Sequence, residues 1–284
     1  MNNANKIIKY LAIAFGIFLI FNIVSGIMYC VVSVSNMFDH ESIELKQLDV
    51  SKENILNIDV STANIIIKKA EEFKIETNNE NISYIQSEGK LSIKENKRNW
   101  FKKYSSDLII YVPTETLFEQ ITIKNGAGRV NVDYLITQEL TLNLGAGKVE
   151  IDYLQVKNKA KIDGGAGEIV ISNGIINNLD MDMGVGKLSL SASITGNSQI
   201  DAGVGQLEII LNGQKDDYMI NVDKGLGSFK ISGENIIDGK IYGNGDNKLD
   251  IDGGVGSINI EFTNNQEQIK EDDMVKNIQE LTNY

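Results

Sequence analysis

Five aspartates recur at one fixed place: Asp163, Asp182, Asp201, Asp223 and Asp252 each stand two residues ahead of a Gly-x-Gly triplet. Carboxylates repeated so regularly could do either of two things. Each could cap its own turn by accepting backbone N–H bonds, or the five could stack into a ladder that holds calcium. Calcium-binding glycine repeats place the aspartate after the glycines, as Gly-Gly-x-Gly-x-Asp. Here Gly164-Gly165-Ala166-Gly167 is followed by Glu168-Ile169, and Gly253-Gly254-Val255-Gly256 by Ser257-Ile258. The calcium motif is not met, so turn capping is the reading, with no metal and no cofactor expected.

The glycine pairs invite a second chemistry, phosphate binding. A dinucleotide loop needs a third glycine and a following helix whose N-terminus holds the pyrophosphate. Every pair here is followed by a segment that alternates like a strand. Catalysis lacks its usual parts as well. His40 is the only histidine and lies outside the repeats, so neither a Ser-His-Asp arrangement nor a histidine metal site can be built there. Cys30 is the only cysteine, which excludes an intramolecular disulfide and a thiolate metal cluster. A formal net charge of −12 argues against nucleic acid as a partner. No enzyme activity and no small-molecule substrate are expected.

The elements that carry these residues follow from their period. The first glycines are Gly126, Gly145, Gly165, Gly184, Gly203, Gly225 and Gly254, in steps of 19, 20, 19, 19, 22 and 29 residues. The second glycines are Gly128, Gly147, Gly167, Gly186, Gly205, Gly227 and Gly256. A period of this size marks one supersecondary unit stacked on copies of itself. Three residues before the first glycine stand Ile123, Leu142, Ile162, Met181, Ile200, Val222 and Ile251. After the pair come Val130/Val132, Val149/Ile151, Ile169/Ile171, Leu188/Leu190, Leu207/Ile209, Phe229/Ile231 and Ile258/Ile260. Both flanks alternate with period two, which is strand and not helix. Each unit is therefore expected to be two short strands meeting at a glycine corner, with a third segment such as 153–159 closing the coil. The apolar residue between the glycines is expected to point into the core. The fold class expected is all-β, a β-solenoid of about 19–20 residues per coil.

Outside the repeat the composition changes several times. Residues 10–34 carry no charge and are long enough to cross a bilayer as a helix. Lys6 and Lys9 precede this run and Asp39, Glu41 and Glu44 follow it, which places residues 1–9 in the cytoplasm and the remainder outside. A cleaved signal peptide ending near Ser33-Val34-Ser35 is the rival, but its apolar region would be unusually long. Residues 35–53 then form a juxtamembrane linker, 54–120 irregular β coils ending near Pro113, 121–262 the regular solenoid, and 263–284 a polar tail. In that tail Met274, Ile278 and Leu281 keep helical spacing, so it reads as a capping helix or a mobile end. Within the irregular coils, Lys97, Arg98, Trp100, Phe101, Lys102, Lys103 and Tyr104 gather basic and aromatic residues in an acidic protein. They form either a contact loop for anionic headgroups or a wall polymer, or a hairpin tip that packs back on the sheet.

The order of anchor, loose strands, a strand ending in Val-Pro (Leu108 to Pro113) and Gly-Ala-Gly or Gly-Val-Gly β repeats resembles the bacterial adhesin-like β-strand-repeat family, the toastrack domain. The resemblance covers roughly Asn54 to Phe262. It implies a single-stranded right-handed β-solenoid with no catalytic residues to carry over, in proteins associated with envelope-stress functions. The expectation is a non-enzymatic, single-pass membrane protein whose extracytoplasmic solenoid acts as scaffold or sensor toward envelope or membrane proteins or a wall polymer. A surface adhesin and a bactofilin-like self-assembling filament are the alternatives.

Overall fold

The computed structural model describes residues 44–96 and 106–263. The expected anchor at 10–34, Cys30, His40, the basic aromatic run at 97–104 and the tail beyond Thr263 lie outside the described residues.

A short β1 (Lys46–Gln47) is followed by β2 (Ile55–Val60), β3 (Asn64–Ala70), β4 (Lys74–Thr77), β5 (Ile82–Ser87), β6 (Lys90–Glu95) and β7 (Asp107–Pro113). Long strands come next: β8 (Leu117–Val132), β9 (Leu135–Ile151), β10 (Leu154–Ile171), then β11 (Gly174–Asn177), β12 (Leu179–Thr195) and β13 (Asn197–Asn212). A 3-10 turn at Lys215–Asp217 leads to β14 (Tyr218–Asp223), β15 (Leu226–Ile231), β16 (Glu234–Asn235) and β17 (Asn247–Thr263). The fold is all-β and solenoid-like.

The coils stack as parallel rungs. Ile123 pairs with Leu142, Leu142 with Ile162, Ile162 with Met181 and Met181 with Ile200, so each inward column is one continuous row. The columns read from the sequence are buried on both flanks of the corner, among them Leu142, Val149, Ile162, Ile169, Leu188 and Ile209. A third apolar segment closes the coil, with Leu135 beside Leu154 and Ile176 beside Ile194, all buried. Burial of such apolar surface at about 25 cal/mol per Å² is what holds one rung on the next.

Two sequence-based expectations are corrected, and a third feature lay outside them. The first concerns the corner, which splits the unit of β14 and β15 into two strands but leaves the other six glycine units unbroken. The ladder runs through it, pairing Ala166 with Val185 and Gly167 with Gly186 inside single strands of 16 to 18 residues. The two glycines manage this by different means. The second adopts φ between +141° and +153° in all seven units, a backbone open to glycine. The first does not, but a Cβ on it would strike a carbonyl oxygen of the neighbouring rung.

The second correction concerns the residue between the glycines. Ala127, Ala146, Ala166, Val185, Val204 and Val255 are half-buried and Leu226 is exposed, so they stack as a ridge along the corner and do not enter the core. The core position is the one before the first glycine. There Gly164 makes room for Met183, since a Cβ on it would lie 2.6 Å from the Met183 Sδ, and Gly253 makes room for the Phe229 ring. Alternating large and small residues across facing rungs fill that column.

The third is the order of rungs. β17 pairs with β13 on one side and with β14 and β15 on the other, so the last unit in sequence is second to last in the stack. Lys224 explains this placement. It occupies the inward position where other units carry Leu144, Gly164, Met183, Ala202 and Gly253, and an ammonium cannot be buried between rungs without a partner. At the end of the stack it is exposed.

The irregular region proves to be two further rungs. β2 and β3 pair with β8 and continue its columns, Leu56 and Ile58 beside Ile121 and Ile123, and Ile65 and Ile67 beside Val130 and Val132. Ser61-Thr62-Ala63 stands where the other units have Gly-x-Gly, and the Glu95 carboxylate accepts the Ser61 N–H at 2.6 Å. β6 and β7 form the next rung, with Leu91 and Ile93 over Leu56 and Ile58, and Leu108 and Ile110 over Ile65 and Ile67. Antiparallel β5 on β6, and β4 on β7 with β1 on β4, close this end.

Candidate functional site: the outward columns

Because inward residues are fixed by the core, the residues between them form outward columns with equally fixed register. The aspartates form one such column. Asp163, Asp182, Asp201, Asp252 and Asp223 pair in that spatial order on consecutive rungs, about 4.8 Å apart. Among the described residues none of them receives a turn N–H. Asp201 accepts instead from the Gln199 Nε2 at 3.0 Å. Capping is therefore corrected: these are solvent-facing strand residues. No group of three or more His, Cys, Asp or Glu among the described residues is placed to hold a metal ion.

The column changes character toward the other end. Beyond Asp163 it reads Asn143, Lys124, Asp59 and Lys94. Where acid gives way to this mixed stretch lies a groove of about 430 Å³, lined by Asp59, Lys124 and Asn143 with Asn125, Gly126 and Gly145 beside them. Asn125 is only 2 % exposed; its amide donates to the Ala63 carbonyl at 3.1 Å, while its Oδ1 has no donor among the described residues.

On the opposite flank of the corner, charges pair off. The Lys148 Nζ lies 2.7 Å from Glu150 and 3.3 Å from Glu168, and the Lys187 Nζ lies 3.2 Å from Glu208. At the coil's closing edge Tyr134 and Tyr153 stack with centroids 4.8 Å apart, and the Lys69 ammonium sits 4.6 Å from the Tyr134 ring centre. Burial raises the Tyr153 phenol above its ordinary range. Near β4, the Lys74 ammonium and the Tyr111 hydroxyl both donate to Glu76, and the lysine contact above all holds that carboxyl below the usual range. Of the ion pairs, Lys148 with Glu168 and Lys187 with Glu208 join neighbouring rungs, whereas Lys148 with Glu150 and Lys74 with Glu76 lie within one strand, and such surface pairs add little to stability.

Sequence reasoning found the aspartate column and the corner glycines but missed Asp59 and Asn125. Asp59 belongs to a unit without glycines, and Asn125 was passed over as a residue between two columns. The signal was available as a break in the repeat, since Asn125 is the polar member of an inward column that elsewhere holds Val60, Leu144 and Met183. The basic aromatic run, read as a hairpin tip or contact loop, joins β6 to β7, two strands that share one rung and do not pair with each other. It stands in the chain where other rungs have their corner.

The family model for Toastrack DUF4097 matches residues 53–232 and, overlapping them, 118–261. The chain belongs to the toastrack family. Two offset matches on one chain are what a repeat of near-identical rungs produces. No curated protein matches the chain. Among solved structures, a candidate adhesin from Bacteroides fragilis aligns with a TM-score of 0.50 at 16% identity, covering 78% of this toastrack chain and 98% of that one. A candidate cell adhesion protein from Clostridium sporogenes aligns at a TM-score of 0.34 and 20% identity, with 78% and 99% covered. A candidate lipid-binding protein from Parabacteroides distasonis aligns at 0.36 and 14%, with 76% and 96% covered. At 16% identity the first of these likenesses is one of fold alone.

Proposed function

We propose that this toastrack protein is a non-enzymatic binding scaffold, held in the membrane by residues 10–34 with its solenoid on the extracytoplasmic side, where it reports the state of the envelope to membrane partners. The observation that carries the reading is the register: outward residues repeat at one strand spacing on a backbone fixed by a buried core, which makes a rigid recognition surface. The uncharged run followed by acidic residues supports the placement.

Of the alternatives, a surface adhesin is favoured by the groove at Asp59, Lys124 and Asn143. The filament is disfavoured by both ends of the described stack. Antiparallel β4 and β5 close one, and β16 with the antiparallel bridge of Tyr242 to Ile220 interrupts the other, so neither offers the plain parallel edge that end-to-end stacking needs.

The test has two arms. A Tyr284→Cys, Cys30→Ser protein in intact cells is treated with a membrane-impermeant maleimide, and labelling is expected; protection of the cysteine until lysis would overturn both the sensor and the adhesin. Crosslinking in the native membrane, with and without residues 96–104, is expected to capture membrane proteins. Capture of its own copies alone would return the filament.

A further inference from the structure

We infer that the groove over β2, β8 and β9 is a binding site for a neutral saccharide chain lying along the stack. This deepens the scaffold reading, on which it rests only in that the solenoid surface binds a ligand; it does not depend on the anchor.

The first ground is where the repeat breaks its own rules. At the position two before the corner, consecutive rungs carry Asp163, Asp182, Asp201 and Asp252, yet over the groove they carry Asn143, Lys124 and Asp59. At the inward position one residue on, Val60 and Leu144 flank Asn125. Departures from a repeat that gather in one place, one of them the buried amide of Asn125, mark function more than drift.

The second ground is the cost of Asn125. An amide oxygen buried without a donor costs about 1–3 kcal/mol. Valine or leucine, the residue types on either side, would avoid that cost. Asn125 is one of the residues that line the groove, and its buried Oδ1 has no partner among the described residues.

The third is the chemistry of the lining. Asp59 accepts hydrogen bonds, Lys124 donates them, and Asn143 does both. One carboxylate and one ammonium leave no net charge. An anionic polymer would meet Lys124 and, beyond Asp59, Lys94, but with the Asp59 carboxylate between them and the acidic column past Asn143, and a cation would prefer that column. A chain of hydroxyl groups, each donor and acceptor at once, matches all three side chains. The three sit on consecutive rungs and so span roughly 10 Å, which suits two sugar rings in sequence. The floor at Gly126 and Gly145 is bare peptide, against which the C–H face of a ring can lie without a side chain intervening.

The experiment uses the full-length chain in lipid nanodiscs, titrated with cellohexaose, chitohexaose and maltohexaose, and with polyphosphate as the anionic comparison. At least one neutral hexasaccharide is expected to bind, with polyphosphate weaker than it. Asn143→Ala and Lys124→Ala, both at solvent-facing positions, are each expected to weaken binding at least tenfold with an unchanged melt, and Asp182→Ala is expected to leave binding alone. Asn125→Val is expected to lose binding while remaining folded. The site is overturned if no neutral hexasaccharide binds, if polyphosphate binds more tightly, or if binding survives both Asn143→Ala and Lys124→Ala. Maleimide labelling and membrane crosslinking do not depend on this groove, so failure here leaves the scaffold reading standing, and a cytoplasmic Tyr284 would not alter the titration.

Discussion

Gly167 sits directly over Gly147, so close that a Cβ built on it would fall onto the Gly147 carbonyl oxygen. The same overlap recurs for Gly186 on Gly167 and Gly205 on Gly186, each at a φ near +150°. The corner is thus held by contact between successive rungs as well as by turn geometry.

Gly167→Ala and Gly186→Ala should each cost on the order of 3 kcal/mol or more, since a strained φ and a backbone overlap act together. Gly233→Ala, where φ is +76° and nothing lies within 4 Å of the added Cβ, should cost about 1–2 kcal/mol. Urea denaturation of the variants measures both. Equal costs at 167 and 233 would show that φ alone governs the corner.

Rung order can be read by disulfide trapping in a Cys30→Ser background. Asp201→Cys with Asp252→Cys places two cysteines on neighbouring rungs about 4.8 Å apart, within disulfide reach, and should crosslink under mild oxidation. Asp201→Cys with Asp223→Cys places them two rungs apart and should not. Crosslinking of the second pair alone would restore the sequential order of units.

The aspartate column stores repulsion between like charges at strand spacing. Asp182→Asn, which relieves contact with both Asp163 and Asp201, should raise stability by about 0.5 kcal/mol at low salt. The gain should shrink as salt screens the column. Calcium chloride should shift the melt no further than sodium chloride of equal ionic strength, and a larger shift would reinstate the calcium ladder.

Tyr218 gives an alkaline signature. It is 2 % exposed, its hydroxyl donates to the Asn212 carbonyl at 2.8 Å, and burial pushes its phenol up to about 12. The unfolded chain, at an ordinary 10.0, loses this proton first. The stabilisation is therefore complete below pH 10 and lost as pH rises toward 12. Tyr218→Phe should be less stable at neutral pH, and the gap from the parent should narrow across that window. A gap independent of pH would mean that the phenol is not protected.

Much of the fold was legible because its signals are local. A period near 19 residues, strict alternation on both flanks and the strand at Leu108 to Pro113 each reflect what one residue needs from its immediate neighbours, and the elements formed where that pattern placed them. The two rungs at 54–113 were seen as irregular coils but not as rungs that continue the same columns, because Ser61-Thr62-Ala63 stands in place of the glycine corner by which units had been recognised and no glycine pair lies between β6 and β7 in the chain.

By itself, then, the sequence determined a stacked β repeat, its inward columns and the absence of the parts for histidine or thiol chemistry in the repeats. Tertiary structure alone decided which units touch. β17 slips between β13 and β14, and Ser61 comes beside Gly126, because parallel pairing depends on which buried face is left unmatched after the chain turns, and not on distance along it. The groove follows from that choice: Asp59, Lys124 and Asn143 lie 65 and 19 residues apart in the chain and become neighbours only when three rungs settle in register.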